Sequence, residues 1–266
     1  MAEDGLLLAV DIGNTEVKLG VFDGSELRGT WRLETDSQRT ADEYAATLCV
    51  LFARDGLDLA GLGGVVVGSS VPRVQETFAE IARRYAGREA LVVSGLTPGV
   101  RIAIENPREA GPDRVSNATA ARALYGSPAI VVDFGTATNF DVVSPDGDYI
   151  GGAIAPGVEV AAEALFRRGA RLFNVALTAP ERAIGRNTIG ALQSGIVFGY
   201  VGLVEGVIAR IRAELGVRAP TIATGGLAEL IAGQTAAVDH VAPNLTLVGL
   251  RLIYEMNDSP PASPGT

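Results

Sequence analysis

The sequence is poor in the residues on which many catalytic sites depend, since its 266 residues include one histidine and one cysteine. A Ser-His-Asp triad needs a histidine, and a zinc site usually needs several histidines or cysteines, so both kinds of site are disfavoured. Cys49 has no second cysteine with which to form a disulfide, which is typical of a reducing compartment. Its apolar neighbours in 45–51 predict a small core residue at this position.

Positive charge is scarce as well, because 22 Lys and Arg residues face 31 Asp and Glu residues and the net charge is −9. A nucleic-acid partner is not expected, since it needs a basic face. The acidic start and the short apolar run 6–10 do not fit a secretory signal. The long apolar segment 189–211 is broken by glycines and charged residues and predicts a buried helix, so we expect a cytoplasmic protein with no membrane partner.

One sequence pattern occurs twice. Residues 6–11 form an apolar strand that ends on an acid, and a polar loop, a second apolar strand and a turn at 23–24 follow. The same order returns at 130–133, with its turn at 146–147, and the two acids lie 122 residues apart. The matching turns indicate an internal duplication.

The rest of the chain alternates helices with strands, which predicts an α/β architecture. The predicted helices are about 40–54, 74–85, 116–125, a helix that ends near 168, 188–215, 227–232 and one that begins near 247. The predicted strands outside the repeated hairpins are 64–69, 90–93 and 220–223. The expected domains are 1–125 and 126–257, with a disordered tail over 258–266 because the tail is rich in proline and serine.

The loops that follow Asp11 and Asp133 carry groups suited to phosphate. Glycine, amide and hydroxyl groups can direct N–H and O–H donors at phosphate oxygens, and a carboxylate at a strand end can hold a hydrated cation. Either loop alone is better explained as a plain hairpin turn. Their recurrence favours a polyphosphate ligand held from two sides, although neither loop is a P-loop or a dinucleotide fingerprint.

The turn Gly111-Pro112-Asp113-Arg114 lies directly before a predicted helix. Aspartate can accept a proton from a hydroxyl, arginine can hold a carboxylate or phosphate, and Pro112 restricts the backbone in front of the carboxylate. A helix-capping aspartate beside a surface arginine is the alternative interpretation.

Four glycines recur at helical spacing in the long helix, at Gly195, Gly199, Gly202 and Gly206. Each costs about 1 kcal/mol relative to alanine in a helix, so a compensating contact is expected. Close approach of another helix is one interpretation, and a self-association face is the other.

The combination of motifs resembles the type III pantothenate kinases over about residues 6–256. These motifs are Asp11-Ile-Gly-Asn-Thr15, Ser69-Ser-Val-Pro72, Gly111-Pro-Asp-Arg114 with Asn117, Asp133-Phe-Gly-Thr-Ala-Thr138, Gly151-Gly-Ala-Ile-Ala-Pro-Gly157, Asn187-Thr188 with Gln193-Ser-Gly195, and Thr224-Gly-Gly-Leu-Ala228. That family belongs to the acetate and sugar kinase, Hsp70 and actin superfamily. The resemblance implies duplicated ribonuclease-H-like domains of the actin-like ATPase type with a central nucleotide cleft.

The resemblance also implies a function: ATP-dependent phosphorylation of pantothenate to 4′-phosphopantothenate, the first step of coenzyme A biosynthesis. Members of the family use Mg²⁺ and K⁺ or NH₄⁺ and are usually homodimers. Two alternatives stay open, namely a kinase of the same fold that acts on another small hydroxy compound, and a non-catalytic nucleotide-binding regulator.

Site residues follow from the resemblance, motif by motif. The first phosphate loop is Asp11, Ile12, Gly13, Asn14, Thr15, Glu16, Val17 and Lys18. Asp11 is expected to position Mg²⁺ through water, Thr136 to contact the nucleotide, and Asp133 to bind the monovalent cation. The expected pantothenate contacts are Gly111, Pro112, Asp113, Arg114 and Thr188, with Asp113 as the catalytic base.

Two positions depart from the family's pattern. Ile104 stands where a tyrosine usually contacts pantothenate, so a hydrogen bond to the substrate is lost. Asn139 stands where the second loop usually has a threonine. These departures concern substrate affinity and turnover rather than the fold.

Overall fold

The structure is a computed structural model that describes residues 5–97, 99–168 and 175–258. It divides into two compact units. Unit 1 comprises Met1–Ala120 together with Thr246–Thr266, and unit 2 comprises Ala121–Leu245. The chain therefore leaves the first unit inside one helix and returns to it for the last helix.

The described residues form two five-stranded sheets with helices. The strands are β1 (Leu6–Ile12), β2 (Glu16–Asp23), β3 (Glu26–Glu34), β4 (Leu62–Ser69), β5 (Ala90–Val93), β6 (Ala129–Phe134), β7 (Ala137–Val143), β8 (Tyr149–Pro156), β9 (Thr221–Gly225) and β10 (His240–Val241). The helices are α1 (Ala41–Arg54), α2 (Pro72–Ile81), α3 (Pro112–Tyr125), α4 (Val158–Arg168), α5 (Thr188–Leu215), α6 (Ala228–Ala232) and α7 (Leu245–Asp258). Short single turns lie at Leu59–Gly61, Ala82–Ala86 and Pro107–Glu109.

The two sheets have the same topology. The first has the order β3-β2-β1-β4-β5, and the second, written in the same direction, has the order β8-β7-β6-β9-β10. In each, the first three strands of the repeat pair antiparallel and the next two add in parallel. The predicted duplication is therefore present in the fold, and each unit is a ribonuclease-H-like α/β unit.

In each unit, the main hydrophobic core lies between one face of the sheet and helices of the same unit. In unit 1, α1 and α2 cover the sheet, and the largest buried side chains there include Tyr44, Phe52 and Phe78. In unit 2, α5 packs on the corresponding face through Val197, Val204 and neighbouring apolar residues. The burial of these apolar side chains is the main driving force for each unit.

Cys49 is exposed rather than buried, so the prediction of a core residue is wrong. Helix α1 buries Tyr44, Ala45, Leu48 and Phe52, which lie on one face at helical spacing. Cys49 follows Leu48 by one residue, a rotation of about 100° that carries it away from that face. An apolar run longer than the helical period therefore exposes some of its members.

The observed units differ from the expected domains 1–125 and 126–257. The division between the units falls at Ala120, and α7 belongs to unit 1. Helix α7 lies against the first sheet, where a Cβ at Gly20 would be 3.1 Å from Leu247 Cδ1. It also contacts α3, since Thr246 Oγ1 donates a hydrogen bond to Asn117 Oδ1 at 2.9 Å. A side chain at Gly249 would collide with the Ser116 backbone at 2.0 Å. Apart from Asp258, which ends α7, the expected tail lies outside the described residues.

Helix α5 is only partly buried, which corrects the expectation of a buried helix. By length and composition it could cross a membrane, and one third of its most apolar window is buried. A core helix that packs one face on a sheet passes the same test, and α5 packs in this way. No atom of the described residues lies within 4 Å of a Cβ built on Gly195, Gly199 or Gly202. The expected packing of another helix on this glycine stripe is therefore wrong for the described part of the chain.

The end of α5 is held by a cluster of charges around Asp239. Its carboxylate accepts hydrogen bonds from Arg212 Nη2 at 2.9 Å, Arg218 Nη2 at 3.1 Å and the Thr221 amide at 2.8 Å. Burial by itself raises the pKa of Asp239, but the hydrogen bonds and the two guanidinium groups outweigh it, and the net pKa is lowered. The cluster links α5 to β9 and the start of β10.

We predict that Asp239→Asn lowers the free energy of unfolding by about 1–2 kcal/mol at neutral pH, because it removes charge-assisted bonds from a side chain that is 21 % exposed. A carboxylate whose folded pKa is lowered stabilises the fold above its unfolded pKa of about 3.9, and this contribution disappears as the pH falls through the folded pKa. Urea unfolding between pH 7 and pH 3 should show a weaker acid dependence in the variant.

Asp23→Asn is the matched control, because the Asp23–Arg28 ion pair is largely exposed. Its unfolding curve is expected to stay close to that of the wild type at every pH. Equal acid dependence in Asp239→Asn and the wild type would contradict the assignment to Asp239.

Candidate functional site

The first polar loop joins β1 to β2 in unit 1. Asp11 is half-buried near the end of β1, where it pairs with Lys18 on β2 and Gly68 on β4. The Gly13 amide donates to the Glu16 carbonyl at 2.9 Å, so the loop turns tightly and leaves Asn14 and Thr15 exposed. The loop thus presents amide and hydroxyl groups next to the carboxylate of Asp11.

Strand β3 braces this loop from one side. The Thr35 hydroxyl donates to the Gly13 carbonyl at 2.8 Å, and the Thr35 amide donates to the Thr15 carbonyl at 3.0 Å. Thr35 follows directly after β3, so the position of the loop depends on the third strand of the hairpin system. A hairpin that consisted of β1 and β2 alone would lack this support.

The turn before α3 lies at the same end of unit 1 as Asp11. Gly68, the β4 partner of Asp11, has no side chain, and a Cβ there would lie 3.2 Å from Pro112 Cβ. Asp113 and Arg114 follow Pro112 in the first turn of α3, and both are half-buried. The structure therefore brings the first loop and the predicted turn together.

The conformation of this turn depends on glycine. A Cβ at Gly111 would lie 2.5 Å from Asp113 Oδ1, so any other residue would displace the carboxylate. Upstream, Asn106 caps the short turn Pro107–Glu109 and donates from Nδ2 to Glu109 Oε1 at 2.8 Å. Gly111 thus leaves room for the carboxylate of Asp113 in the first turn of α3.

The second polar loop joins β6 to β7 in unit 2. Asp133 is half-buried at the end of β6, and it pairs with Asn139 on β7 and Thr224 on β9. The Gly135 amide donates to the Ala137 carbonyl at 3.0 Å, and Thr136 is exposed at the tip. The loop resembles the first one in its strand pairing and in its exposed hydroxyl.

The backbone of Gly157 packs directly against the second loop. A Cβ at Gly157 would lie 2.4 Å from the carbonyl oxygens of both Gly135 and Thr136, and its amide donates to the Thr136 carbonyl at 3.1 Å. No residue with a side chain fits between these backbones without moving the loop.

Tyr200 of α5 adds a polar anchor that the sequence did not reveal. Its hydroxyl lies 2.9 Å from the Pro156 carbonyl and 3.1 Å from the Gly157 carbonyl, and Thr138 Oγ1 also donates to Pro156 at 3.2 Å. Burial raises the pKa of the Tyr200 phenol, which keeps it a hydrogen-bond donor. A tyrosine on a distant helix carries no local signal of such a contact, so only the tertiary structure identifies it.

Gly225, at the end of β9, lies next to Asp133 on the side opposite β7. It has a positive φ of 92°, and a Cβ there would lie 2.5 Å from the Phe134 carbonyl and 2.7 Å from Asp133 Oδ1. Residues 224–226 thus pass directly beside the carboxylate of Asp133.

Thr188 is the first residue of α5 and lies in unit 2, whereas the Gly111–Arg114 turn lies in unit 1. The side chain of Asn187 caps the helix by accepting from the Gly190 amide at 2.8 Å. Thr188 is exposed and lines an open pocket with Gly185, Arg186, Asn187, Ala191 and Leu192. The pocket offers hydroxyl, amide and guanidinium groups at a helix N-terminus, a combination suited to a polar or anionic ligand.

Cation binding would rest on single carboxylates. Within residues 5–97, 99–168 and 175–258, no group of three or more His, Cys, Asp or Glu side chains could hold a metal ion. Asp11 fits an ion that keeps most of its water and binds phosphate oxygens, as Mg²⁺ does. At Asp133, the buried Oδ1 of Asn139 has no hydrogen-bond partner, so an uncommitted oxygen lies opposite the carboxylate. Both positions fit the ions expected there.

Comparison with known proteins identifies a family. A family model described as type III pantothenate kinase matches residues 7–210. A type III pantothenate kinase of Moorella thermoacetica is 50% identical over 253 residues, covering 95% of this chain and 100% of that protein. One from Thermomicrobium roseum is 53% identical over 251 residues, covering 94% and 97%. One from Streptomyces griseus is 49% identical over 263 residues, covering 96% and 99%.

Solved structures agree on the fold. A protein of Campylobacter jejuni assigned to the Baf family of transcriptional activators matches with a TM-score of 0.60 and 18% identity, covering 94% of this chain and 98% of that one. A protein of Sinorhizobium meliloti assigned as a 2-dehydro-3-deoxygalactonokinase matches with a TM-score of 0.58 and 15% identity, covering 97% and 98%. At these identities the likeness concerns the fold alone.

We predict that Gly157→Ala lowers the free energy of unfolding by about 1–3 kcal/mol, because the new Cβ would overlap two backbone carbonyls and force the second loop to move. Urea unfolding followed by fluorescence or circular dichroism measures the change. Gly61→Ala is the matched control, since no atom of the described residues lies within 4 Å of a Cβ at Gly61 and its φ is not in the left-handed region. Equal stability of the two variants would contradict the close approach at Gly157.

Proposed function

The chain belongs to the type III pantothenate kinase family, and from this premise we propose that it transfers the γ-phosphoryl group of ATP to pantothenate. The product is 4′-phosphopantothenate, and the reaction is the first step of coenzyme A biosynthesis. The observation that carries the proposal is the Gly111–Arg114 turn, which lies beside the Asp11 loop and places Asp113 in the first turn of α3. Such an arrangement is suited to the removal of a proton from an alcohol.

In this proposal Asp113 is the base. Its carboxylate accepts the proton of the primary hydroxyl as the hydroxyl oxygen attacks the γ-phosphorus, while ADP leaves with the electrons of the broken P–O bond. Gly111 leaves room for the carboxylate, and Arg114, one residue further on, offers a guanidinium for the carboxylate of pantothenate. Thr188 supplies a further contact to pantothenate from the start of α5.

The polar loops bind the nucleotide. Residues 11–18 offer backbone amides and the side chains of Asn14, Thr15 and Lys18 to phosphate oxygens, and Thr136 offers its hydroxyl. Phosphoryl transfer depends mainly on positioning and on neutralising charge, so loops with few alternative conformations are what the reaction needs. The bonds from Thr35 to the first loop and the contacts of Gly157 with the second serve this purpose.

Two cations complete the proposed site. Asp11 would hold Mg²⁺ through water, and Asp133 would hold K⁺ or NH₄⁺; when bound, these ions offset the negative charge of the triphosphate. In a chain with a net charge of −9, such cations matter more than in a basic protein. The proposed location of the enzyme is the cytoplasm.

Two other functions remain alternatives. Ile104, where family members usually have tyrosine, removes a hydrogen bond to pantothenate and makes another small hydroxy compound a possible acceptor. A regulator that binds nucleotide without turnover would have no need for the carboxylate of Asp113. Release of ADP on addition of pantothenate, with and without K⁺, distinguishes these functions from the proposed one.

We predict that Asp113→Asn lowers kcat by about 10²- to 10⁴-fold, because the amide cannot accept the proton. The Kd for ATP is expected to stay close to that of the wild type, because the nucleotide loops are intact. A coupled assay for ADP measures turnover, and isothermal titration calorimetry measures ATP binding.

Asp146→Asn is the matched control, because it makes the same change at an exposed residue in the turn between β7 and β8. It should turn over at the wild-type rate. A near-wild-type kcat in Asp113→Asn would remove Asp113 from the role of base. A wild-type protein that releases ADP with another hydroxy compound but not with pantothenate would favour the first alternative.

We further propose that the chain forms a homodimer through the glycine stripe of α5. The stripe is the exposed side of an apolar helix, and no part of the described chain covers it. Glycines allow a second helix to approach closely, and the contacts made in a dimer would offset their cost in helix stability.

Gly199→Arg is expected to weaken the dimer by at least about tenfold in dissociation constant, since a long charged side chain would separate the two helices. The same change at Gly61, which has open space around it, should leave association unchanged. Sedimentation equilibrium over a range of protein concentrations measures both. A Gly199→Arg protein that associates like the wild type would place the interface elsewhere.

A further inference from the structure

The side-chain oxygen Oδ1 of Asn139, in the first half of β7, is buried and has no hydrogen-bond partner among the described residues. An amide oxygen that is removed from water and left unpaired costs about 1–3 kcal/mol, so such atoms usually bind a water molecule or an ion.

The strand pairing places Asn139 directly opposite Asp133. The two residues are partners in the antiparallel register of β6 and β7, so their side chains share one face of the sheet with Cβ atoms about 4.5–5.5 Å apart. On the other side of Asp133, the partner on β9 is Thr224. The adjacent pair, Val132 and Phe140, lies in the core cluster that includes α5. Successive side chains point to opposite faces of a sheet, so Asp133 and Asn139 lie on the face away from α5.

The surroundings of Asp133 are shaped by glycine. A Cβ at Gly225 would lie 2.7 Å from Asp133 Oδ1, and one at Gly135 would lie 3.9 Å from the same atom. Because these two residues have no side chain, their backbones lie directly beside the carboxylate of Asp133. A carboxylate combined with neutral carbonyl-type oxygens is the ligand type that K⁺ binds when it loses part of its hydration shell.

We propose that Oδ1 of Asn139 is a ligand of the monovalent cation that Asp133 binds, an inference that rests on the cation role of Asp133 in the proposed function. The amide oxygen accepts hydrogen bonds and donates none, so a cation can satisfy it as a hydrogen-bond donor would. An ordered water molecule would also satisfy this oxygen, but the stability of the fold would then not depend on which cation is present.

The test measures cation binding without turnover. Thermal unfolding of the full chain is recorded against K⁺ concentration, with N-methylglucamine chloride keeping the ionic strength constant, and Tl⁺ binding is measured by ²⁰⁵Tl NMR. A ligand that binds only the folded state raises the unfolding midpoint as its concentration rises. The wild type is expected to show this rise with K⁺ and not with N-methylglucamine alone.

Asn139→Leu keeps the size of the side chain and removes its oxygen. It is expected to need at least about tenfold more K⁺ for the same rise in the unfolding midpoint, because the loss of a group that only hydrogen-bonds to a metal ligand already costs about tenfold in affinity. Asn139→Asp, which keeps an oxygen, should retain K⁺ binding, and it provides the test if the leucine variant does not fold. Ile154→Val is the matched control, because Ile154 pairs with Asn139 from the far side; its K⁺ response should equal that of the wild type.

The outcomes separate the two proposals. A K⁺ response that is lost in Asp133→Asn but unchanged in Asn139→Leu overturns the role of Asn139 and leaves the proposed function intact. Absence of any K⁺-specific response in the wild type contradicts the cation role of Asp133 itself. Loss of Tl⁺ binding in both Asp133→Asn and Asn139→Leu, with binding retained in Ile154→Val, supports the inference.

Discussion

The pairing of the first two strands in each unit is the constraint on which the candidate site depends. In unit 1 this pairing puts Asp11 opposite Lys18, and in unit 2 it puts Asp133 opposite Asn139. Antiparallel pairing leaves little freedom, because a slip of one residue would turn each acid toward the opposite face of its sheet. The apolar residues that alternate with the acids oppose such a slip, since they would leave the core.

Close backbone approaches then determine what each loop can do. Gly111, Gly157 and Gly225 each lie where a Cβ would meet a carboxylate or a carbonyl oxygen within 2.7 Å. At these positions the absence of a side chain lets the backbone lie directly against the Asp113 carboxylate, the second loop and the Asp133 carboxylate. Closely packed loops suit phosphoryl transfer, because its catalysis rests on positioned charges rather than on covalent chemistry.

Parts of the fold were predictable because their signals are local. The apolar strands, the Asp-Gly turns and the starts of α1 and α5 lie within short segments, and the structure contains them close to the expected positions. Strands β3, β8 and β10 escaped prediction. The alternation of apolar and polar residues in Glu26–Glu34 could have revealed β3, whereas the glycine-rich Tyr149–Pro156 segment gives only a weak strand signal.

By itself the sequence determined the duplication, the α/β class, the two polar loops and the motifs that point to the family. Only the tertiary structure decided that α7 returns to the first unit, that Cys49 faces outward and that the glycine stripe lacks a partner within the described chain. It also revealed Tyr200 behind the second loop and the unpaired oxygen of Asn139 opposite Asp133. The physical reason is the same in each case: these contacts join residues far apart in the chain, and their geometry arises only after distant surfaces have packed.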